Sequence, residues 1–211
     1  MVPPLTAGQL QAQTGVSRET LARLESYVDL LTAWNRRINL VGPRTIGDIW
    51  RRHILDSAQL FPLIPQTARR LVDFGSGAGL PGLILAIMGV PEVHLVESDQ
   101  RKVAFLREAA RVTGANVVLH PQRAEKLPGF AADVVTARAL APLPDLLNLA
   151  SKFIVSPSIL LFLKGQSAQD ELTQARKEWK MQATLHPSMS DPSGTILRLE
   201  QVIRAGQADE D

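Results

Sequence analysis

Apolar residues follow one rhythm up to about residue 66 and another beyond it. In the first part they recur at steps of three and four: Leu21, Leu24, Val28, Leu31 and Trp34 fall on one helix face, and Ser17 stands where a hydroxyl caps the helix start. A second helix is predicted after Thr45, running through "IGDIWRRHILDSAQLF" until Pro62 and Pro65 stop it. Gly42-Pro43, in "NLVGPR", marks the turn between the two. From Leu71 onward short apolar runs take over, and "RLVDF", "EVHLVE", "NVVLH", "ADVVTARA" and "SILLFLK" read as five strands. The connections are a helix beginning near Pro81, the helix "DQRKVAFLREAARVTG", the stretch "PQRAEKLPGF" and, after Pro142, the helix "PLPDLLNLASKF". A helix from about Ala168 to Lys177 then precedes "EWKMQATLH" and "GTILRLEQVIR", which alternate like two antiparallel strands around "PSMSDPS". Strands alternating with crossovers predict an α/β fold: a mostly parallel sheet with helices on both faces.

The rhythm divides the chain into a helical extension over 1–66, packed on a core over 67–205, and an acidic tail over 206–211 whose Asp209-Glu210-Asp211 reads as a solvated end. With 211 residues, 45% of them hydrophobic and 21% charged, a single globular core is expected. No apolar run approaches the ~20 residues of a membrane span, and "MVPPLTAGQL" lacks the basic start and apolar stretch of a secretory signal, so the cytoplasm is the expected compartment. The absence of cysteine excludes disulfides, thiolate nucleophiles and sulfur-ligated metals. His53, His94, His120 and His186 lack metal-ligand spacing, so no metal is expected.

Candidate chemistry centres on "LVDFGSGAGLPG", a strand that breaks into glycines and enters a helix. Gly77 to Gly82 fits the dinucleotide pattern G-x-G-x-x-G, while Asp73 to Gly79 fits the acidic-first pattern D-x-G-x-G-x-G. Glu97, about twenty residues on, suits a carboxylate that accepts from ribose hydroxyls and serves either cofactor. Asp73 separates them: a carboxylate at the strand end repels a pyrophosphate but attracts the cationic amino group and sulfonium of S-adenosylmethionine (SAM). No Walker pattern is present. The C-terminal hairpin also suits a methyltransferase sheet better than a dehydrogenase.

"RRHILDS", with "NRRINLVGPR", "VDFGSGAGLPG", "RKVAFLRE", "QRAEKL", "ARALAPL" and "LKGQ", closely resembles one family over nearly the full length: the bacterial small-subunit ribosomal RNA guanine-N7 methyltransferases, also called RsmG or glucose-inhibited division protein B. Ala137, where serine is frequent, and Glu97, where aspartate is also common, are mild departures. The resemblance implies a class I SAM-dependent methyltransferase, Rossmann-like with an antiparallel C-terminal strand, that methylates N7 of a guanosine in the 530 loop of 16S rRNA, conventionally nucleotide 527. Carried over by motif, the cofactor residues are Gly75, Leu80, Glu97, Ala124, Glu125 and Arg138; the residue reading adds Asp73, Gly77 and Gly79.

Guanine N7 bears a lone pair and no proton, so this reaction needs no general base, and substrate positioning falls to Arg138, Asn39 or His53, donating to O6. Asp56, three residues after His53, is expected to orient it. Net charge is only +2, but Arg36, Arg37, Arg44, Arg51 and Arg52 cluster against a single acid, Asp48; with Arg101, Lys102 and Lys164 they form the expected contact with 16S rRNA or the 30S subunit. Tyr27, Trp34 and Trp50, at helical spacing, belong to a core face, with base stacking as the alternative. A monomer is expected. The competing readings are an NAD(P)-dependent oxidoreductase using the same glycines and a non-catalytic RNA-binding assembly protein.

Overall fold

The computed structural model describes residues 3–206, so the three acidic residues of the expected tail lie outside the described residues. The N-terminal part holds α1 (Ala7–Thr14) and α2 (Arg18–Asn35). α1 begins in a reciprocal cap between Thr6 and Gln9, and Ser17 caps α2 through the Thr20 N–H. The continuous helix expected after Thr45 is not found. A 3-10 helix (Pro43–Asp48) leads into a π-helix (Trp50–Leu55), and only then comes α3 (Asp56–Ala58). The π-helix widens the turn that carries Arg52 and His53; such bulges recur at functional sites.

The core alternates β1 (Arg70–Phe74), α4 (Gly82–Met88), β2 (Glu92–Val96), α5 (Gln100–Thr113), β3 (Val117–His120), β4 (Ala132–Arg138), α6 (Leu143–Ala150), β5 (Ile154–Lys164), α7 (Ala168–Ala175), β6 (Trp179–Pro187) and β7 (Thr195–Arg204). The third crossover is a short 3-10 turn, Ala124–Lys126. One seven-stranded sheet results, in the order β3-β2-β1-β4-β5-β7-β6. β1 to β5 run parallel, and β7 inserts antiparallel between β5 and β6. Strand order reverses between β1 and β4, which leaves a crevice outside their carboxyl ends.

Strand alternation sends Leu71 to one layer and Val72 and Phe74 to the other. The first layer joins Leu24, Tyr27 and Leu31 of α2 to Ile84 of α4 and Phe105 of α5 in one continuous cluster. The second holds Leu147 of α6, Phe153 and Leu172 of α7. Each fully buried Leu or Phe contributes roughly 1.5–3 kcal/mol before the entropy of ordering is subtracted, and the α2 face adds Leu24, Tyr27 and Leu31 to the first layer. Among the described residues no helix is long and apolar enough to cross a membrane.

Candidate active site

The loop after β1 puts Gly75, Gly77 and Gly79 at φ +63°, +57° and +88°, the left-handed region where a Cβ is unwelcome. A Cβ on Gly75 would stand 2.7 Å from Leu140 Cδ1, and one on Gly79 2.6 Å from Leu83 Cβ. A Cβ on Gly77 would meet only the Gly75 carbonyl oxygen, at 3.8 Å. Gly77 therefore presents bare backbone to open space. Its N–H donates to Glu97 Oε2 (2.9 Å), and the Asp99 N–H donates to Oε1 (2.8 Å). Those two bonds use half the acceptor capacity of the carboxylate, and the rest is free for a vicinal diol.

A cleft of about 880 Å³ opens beside this loop, lined by Gly75, Glu97, Lys102, Ala124, Glu125 and Arg138 among others. The bare glycine backbone, a carboxylate with spare lone pairs and a cavity of this size fit a nucleoside cofactor. Gly77 does not line the cleft, and neither do Gly79 and Leu80, which are buried. Neither does Asp73, which is fully buried: Thr136 Oγ1 donates to Oδ1 (2.8 Å) and the Gly82 N–H to Oδ2 (3.3 Å). Burial pushes its pKa up to about 6 against those hydrogen bonds. Asp73 thus braces the loop from below, and the direct attraction to a cofactor cation argued from sequence does not operate by contact.

At the far rim Arg138, the last residue of β4, reaches across to the π-helix. Its Nη1 lies 3.1 Å from His53 Nδ1, 3.2 Å from Asp56 Oδ2 and 3.4 Å from the Arg52 carbonyl oxygen. A guanidinium only donates, so His53 Nδ1 accepts and the imidazole proton sits on Nε2. Nε2–H then donates to Thr45 Oγ1 (2.7 Å), whose hydroxyl donates to the Gly42 carbonyl (2.6 Å). Burial, then the charges of Arg138 and Arg52, push the His53 pKa down to about 3, so the ring is neutral. Asp56 holds Arg138 and not His53, a correction to the i,i+3 pairing expected from sequence. Arg138 Nε and Nη2 make no hydrogen bond among the described residues, which leaves donors for a ligand.

A second cavity of about 500 Å³ shares Arg138 to Ala141 with the first and extends to Arg52, His53 and Asp191. Its outer wall is the turn between β6 and β7, which binds the π-helix region through four contacts. Arg52 Nη1 pairs with Asp191 Oδ2 (2.7 Å), Ser190 Oγ donates to Asp56 Oδ1 (2.5 Å), and Gln59 meets Ser188 Oγ (3.1 Å) and the Met189 N–H (2.7 Å). The Ser193 N–H and Arg52 hold the Asp191 carboxyl down at about 2. Sequence placed a turn here and Tyr27 on a core face but assigned neither its part in the site: the turn walls the cavity, and the Tyr27 hydroxyl donates to the Ala78 carbonyl of the glycine loop (2.7 Å). Both contacts join residues far apart in the chain, and no local pattern encodes them.

The expected nucleic-acid contacts divide. Arg36, Arg37 and Arg44 are exposed at the end of α2 and in the following loop, and Lys102 borders the cofactor cleft. Arg101 is exposed while pairing with Asp99 (3.2 Å). Two residues do not fit the role. Arg51 is tied to Asp48 (2.8 Å) and the Pro3 carbonyl (2.7 Å). Lys164 is nearly buried, donating to Glu171 Oε2 (2.7 Å) and the Ala141 carbonyl (2.6 Å), and supports the 138–141 segment instead. Asn39 is exposed beside Arg37 and Lys102, away from the cavity of Arg138 and His53. Among the described residues no group of three His, Asp or Glu side chains is arranged to hold a metal ion.

Comparison with known proteins agrees with this geometry. The fold is shared with M. jannaschii TYW2, solved in complex with AdoMet (TM-score 0.55, 13% identity, 71% of this chain and 77% of that one). It is also shared with ribosomal protein L11 methylase from Lactobacillus delbrueckii subsp. bulgaricus (TM-score 0.56, 17% identity, 70% and 78%). Ribosomal RNA small subunit methyltransferase G of Paramagnetospirillum magneticum is 58% identical over 196 residues, which cover 93% of this chain and 96% of that protein. Residues 20–196 match the GidB family, described as rRNA small subunit methyltransferase G, and with a full-length relative at that identity the chain belongs to that family.

Proposed function

We propose that the protein transfers the methyl group of SAM to N7 of a guanosine in the 530 loop of 16S rRNA, at position 527. The observation that carries this reading is the meeting of the two cavities at Arg138–Ala141: one fits a nucleoside cofactor, the other is lined by the polar side chains of Arg52, His53, Asp56 and Arg138. SAM, when bound, supplies an electrophilic methyl on a sulfonium. Glu97 would accept from the ribose hydroxyls, and Ala124 and Glu125 would flank the adenine. The free Nε and Nη2 of Arg138 are the donors best set to hold guanine O6, which leaves the N7 lone pair open. Neutral His53, with both nitrogens engaged, positions Arg138 and takes no proton. Methylation leaves a cationic ring, and Asp56 offsets the guanidinium charge that would otherwise repel it. Arg36, Arg37, Arg44, Arg52, Arg101 and Lys102 supply the phosphate contacts. In this reading residues 1–66 are a helical extension of a 67–205 catalytic core, and the chain acts as a cytoplasmic monomer.

The test incubates the protein with labelled SAM and either naked 16S rRNA or 30S subunits, then digests the RNA. Label in 7-methylguanosine from the 530 loop is expected, and label in any other nucleoside overturns the assignment. SAM binding by calorimetry with no methylation of either substrate would favour a non-catalytic assembly role. Binding of NAD in place of SAM would favour the oxidoreductase reading.

A further inference from the structure

Beside the cofactor cleft, between the end of α2 and the start of α5, lies a groove of about 570 Å³. Trp34 and Ala104 line it together with Arg36, Arg37 and Arg101. The indole meets Phe105 edge-on, with centroids 5.7 Å apart, yet it remains half-buried, and its N–H has no hydrogen-bond partner among the described residues. A smaller pocket of about 150 Å³ shares Arg37 and Arg101 with the groove and adds Asn39, Lys102 and the carboxylate of Asp99. Lys102 in turn lines the cofactor cleft, so a track with Arg37, Arg101 and Lys102 against the single acid Asp99 joins the two.

Helix electrostatics account for part of this cluster only. The carbonyl end of α2 favours the cations Arg36 and Arg37. Arg101 and Lys102 stand in the first turn of α5, where the dipole disfavours positive charge. Asp99 pairs with Arg101, which leaves Arg36, Arg37 and Lys102 without a salt bridge among the described residues, and these cations beside a half-buried aromatic ring match a ligand that is both planar and anionic. We propose that this groove holds one unstacked nucleotide of the RNA substrate, its base on the Trp34 indole and its phosphate among Arg36, Arg37 and Arg101. The inference rests on the rRNA reading above and adds a subsite that tethers RNA beside the reacting guanosine.

Ala104→Glu tests the groove without touching the core, because residue 104 is exposed and glutamate is a good helix former. It fills the groove with a negative charge. Binding of naked 16S rRNA should weaken for Ala104→Glu and for Trp34→Leu by roughly 5- to 150-fold, the range for loss of one base stack. Trp34→Phe should bind nearly as wild type, and SAM affinity by calorimetry should be unchanged in all three. The Arg36→Ala/Arg37→Ala pair should lower the salt slope of binding by about 0.7, the value for the one single-strand phosphate contact. Wild-type RNA affinity in Ala104→Glu overturns the proposal, as does a Trp34→Leu defect that appears equally in SAM binding. Failure of the wild-type protein to methylate rRNA would instead strike the assigned reaction, a result read in a separate assay.

Discussion

His53 makes the protein's stability depend on pH in a way that one substitution isolates. Its imidazole accepts from Arg138 and titrates at about 3 in the folded chain, against 6.5 when free. A histidine kept neutral by folding stabilises fully above its free pKa, and that stability is lost as pH falls from 6.5 toward 3, because the unfolded chain binds the proton first. At pH 5 the unfolded imidazole is almost wholly protonated and the folded one almost wholly neutral, a gap of about 1.5 log units or about 2 kcal/mol. His53→Gln retains a hydrogen-bonding side chain and cannot titrate. Urea denaturation of both proteins at pH 8 and pH 5 supplies the measurement, and subtracting the two curves cancels every other titrating group. The stability advantage of wild type over His53→Gln should be smaller at pH 5 by about 2 kcal/mol. An advantage equal at the two pH values would refute the claim that the fold holds His53 neutral.

Asp73 predicts the opposite slope: its pKa rises from 3.8 to about 6 on burial, so the stability of its protonated form is full below the lower value and lost as pH rises through the upper one. Asp73→Asn should flatten that part of the profile in the same urea series. Tyr27→Phe strands the buried Ala78 carbonyl and should cost about 1–3 kcal/mol, with weaker SAM binding in calorimetry because the glycine loop loses its brace. Arg138→Lys keeps the charge but loses the donor fork, and kcat/KM for rRNA should fall roughly 10²- to 10³-fold in a methyl-transfer assay, with little change in overall stability.

The strands, the glycine loop and the Ser17 cap were legible because each is written locally, in period-two alternation, in residues that tolerate positive φ and in a hydroxyl before a helix. The segment from Thr45 to Phe61 was misread as one helix because apolar spacing does not distinguish an α turn from the wider π turn that carries His53. Charge runs misled in a different way. Arg36 and Arg51 look alike in sequence, but Arg51 finds Asp48 and the Pro3 carbonyl while Arg36 stays exposed. Asp73 stands out in sequence as unlike a dinucleotide loop, yet its alternation in β1 points it under the loop toward Gly82. Side-chain direction, not residue type, decides whether such a carboxylate touches the ligand.

The contact between the β6–β7 turn and the π-helix region joins residues separated by 129 to 139 positions of chain. During synthesis the glycine loop and Arg138 emerge well before Ser190 and Asp191, and β7 must slide between β5 and β6 before the sheet closes. A nascent chain therefore carries the glycine loop and Arg138 before the wall of the second cavity exists. The second cavity thus acquires its outer wall only after the loop that it adjoins, once β7 has joined the sheet.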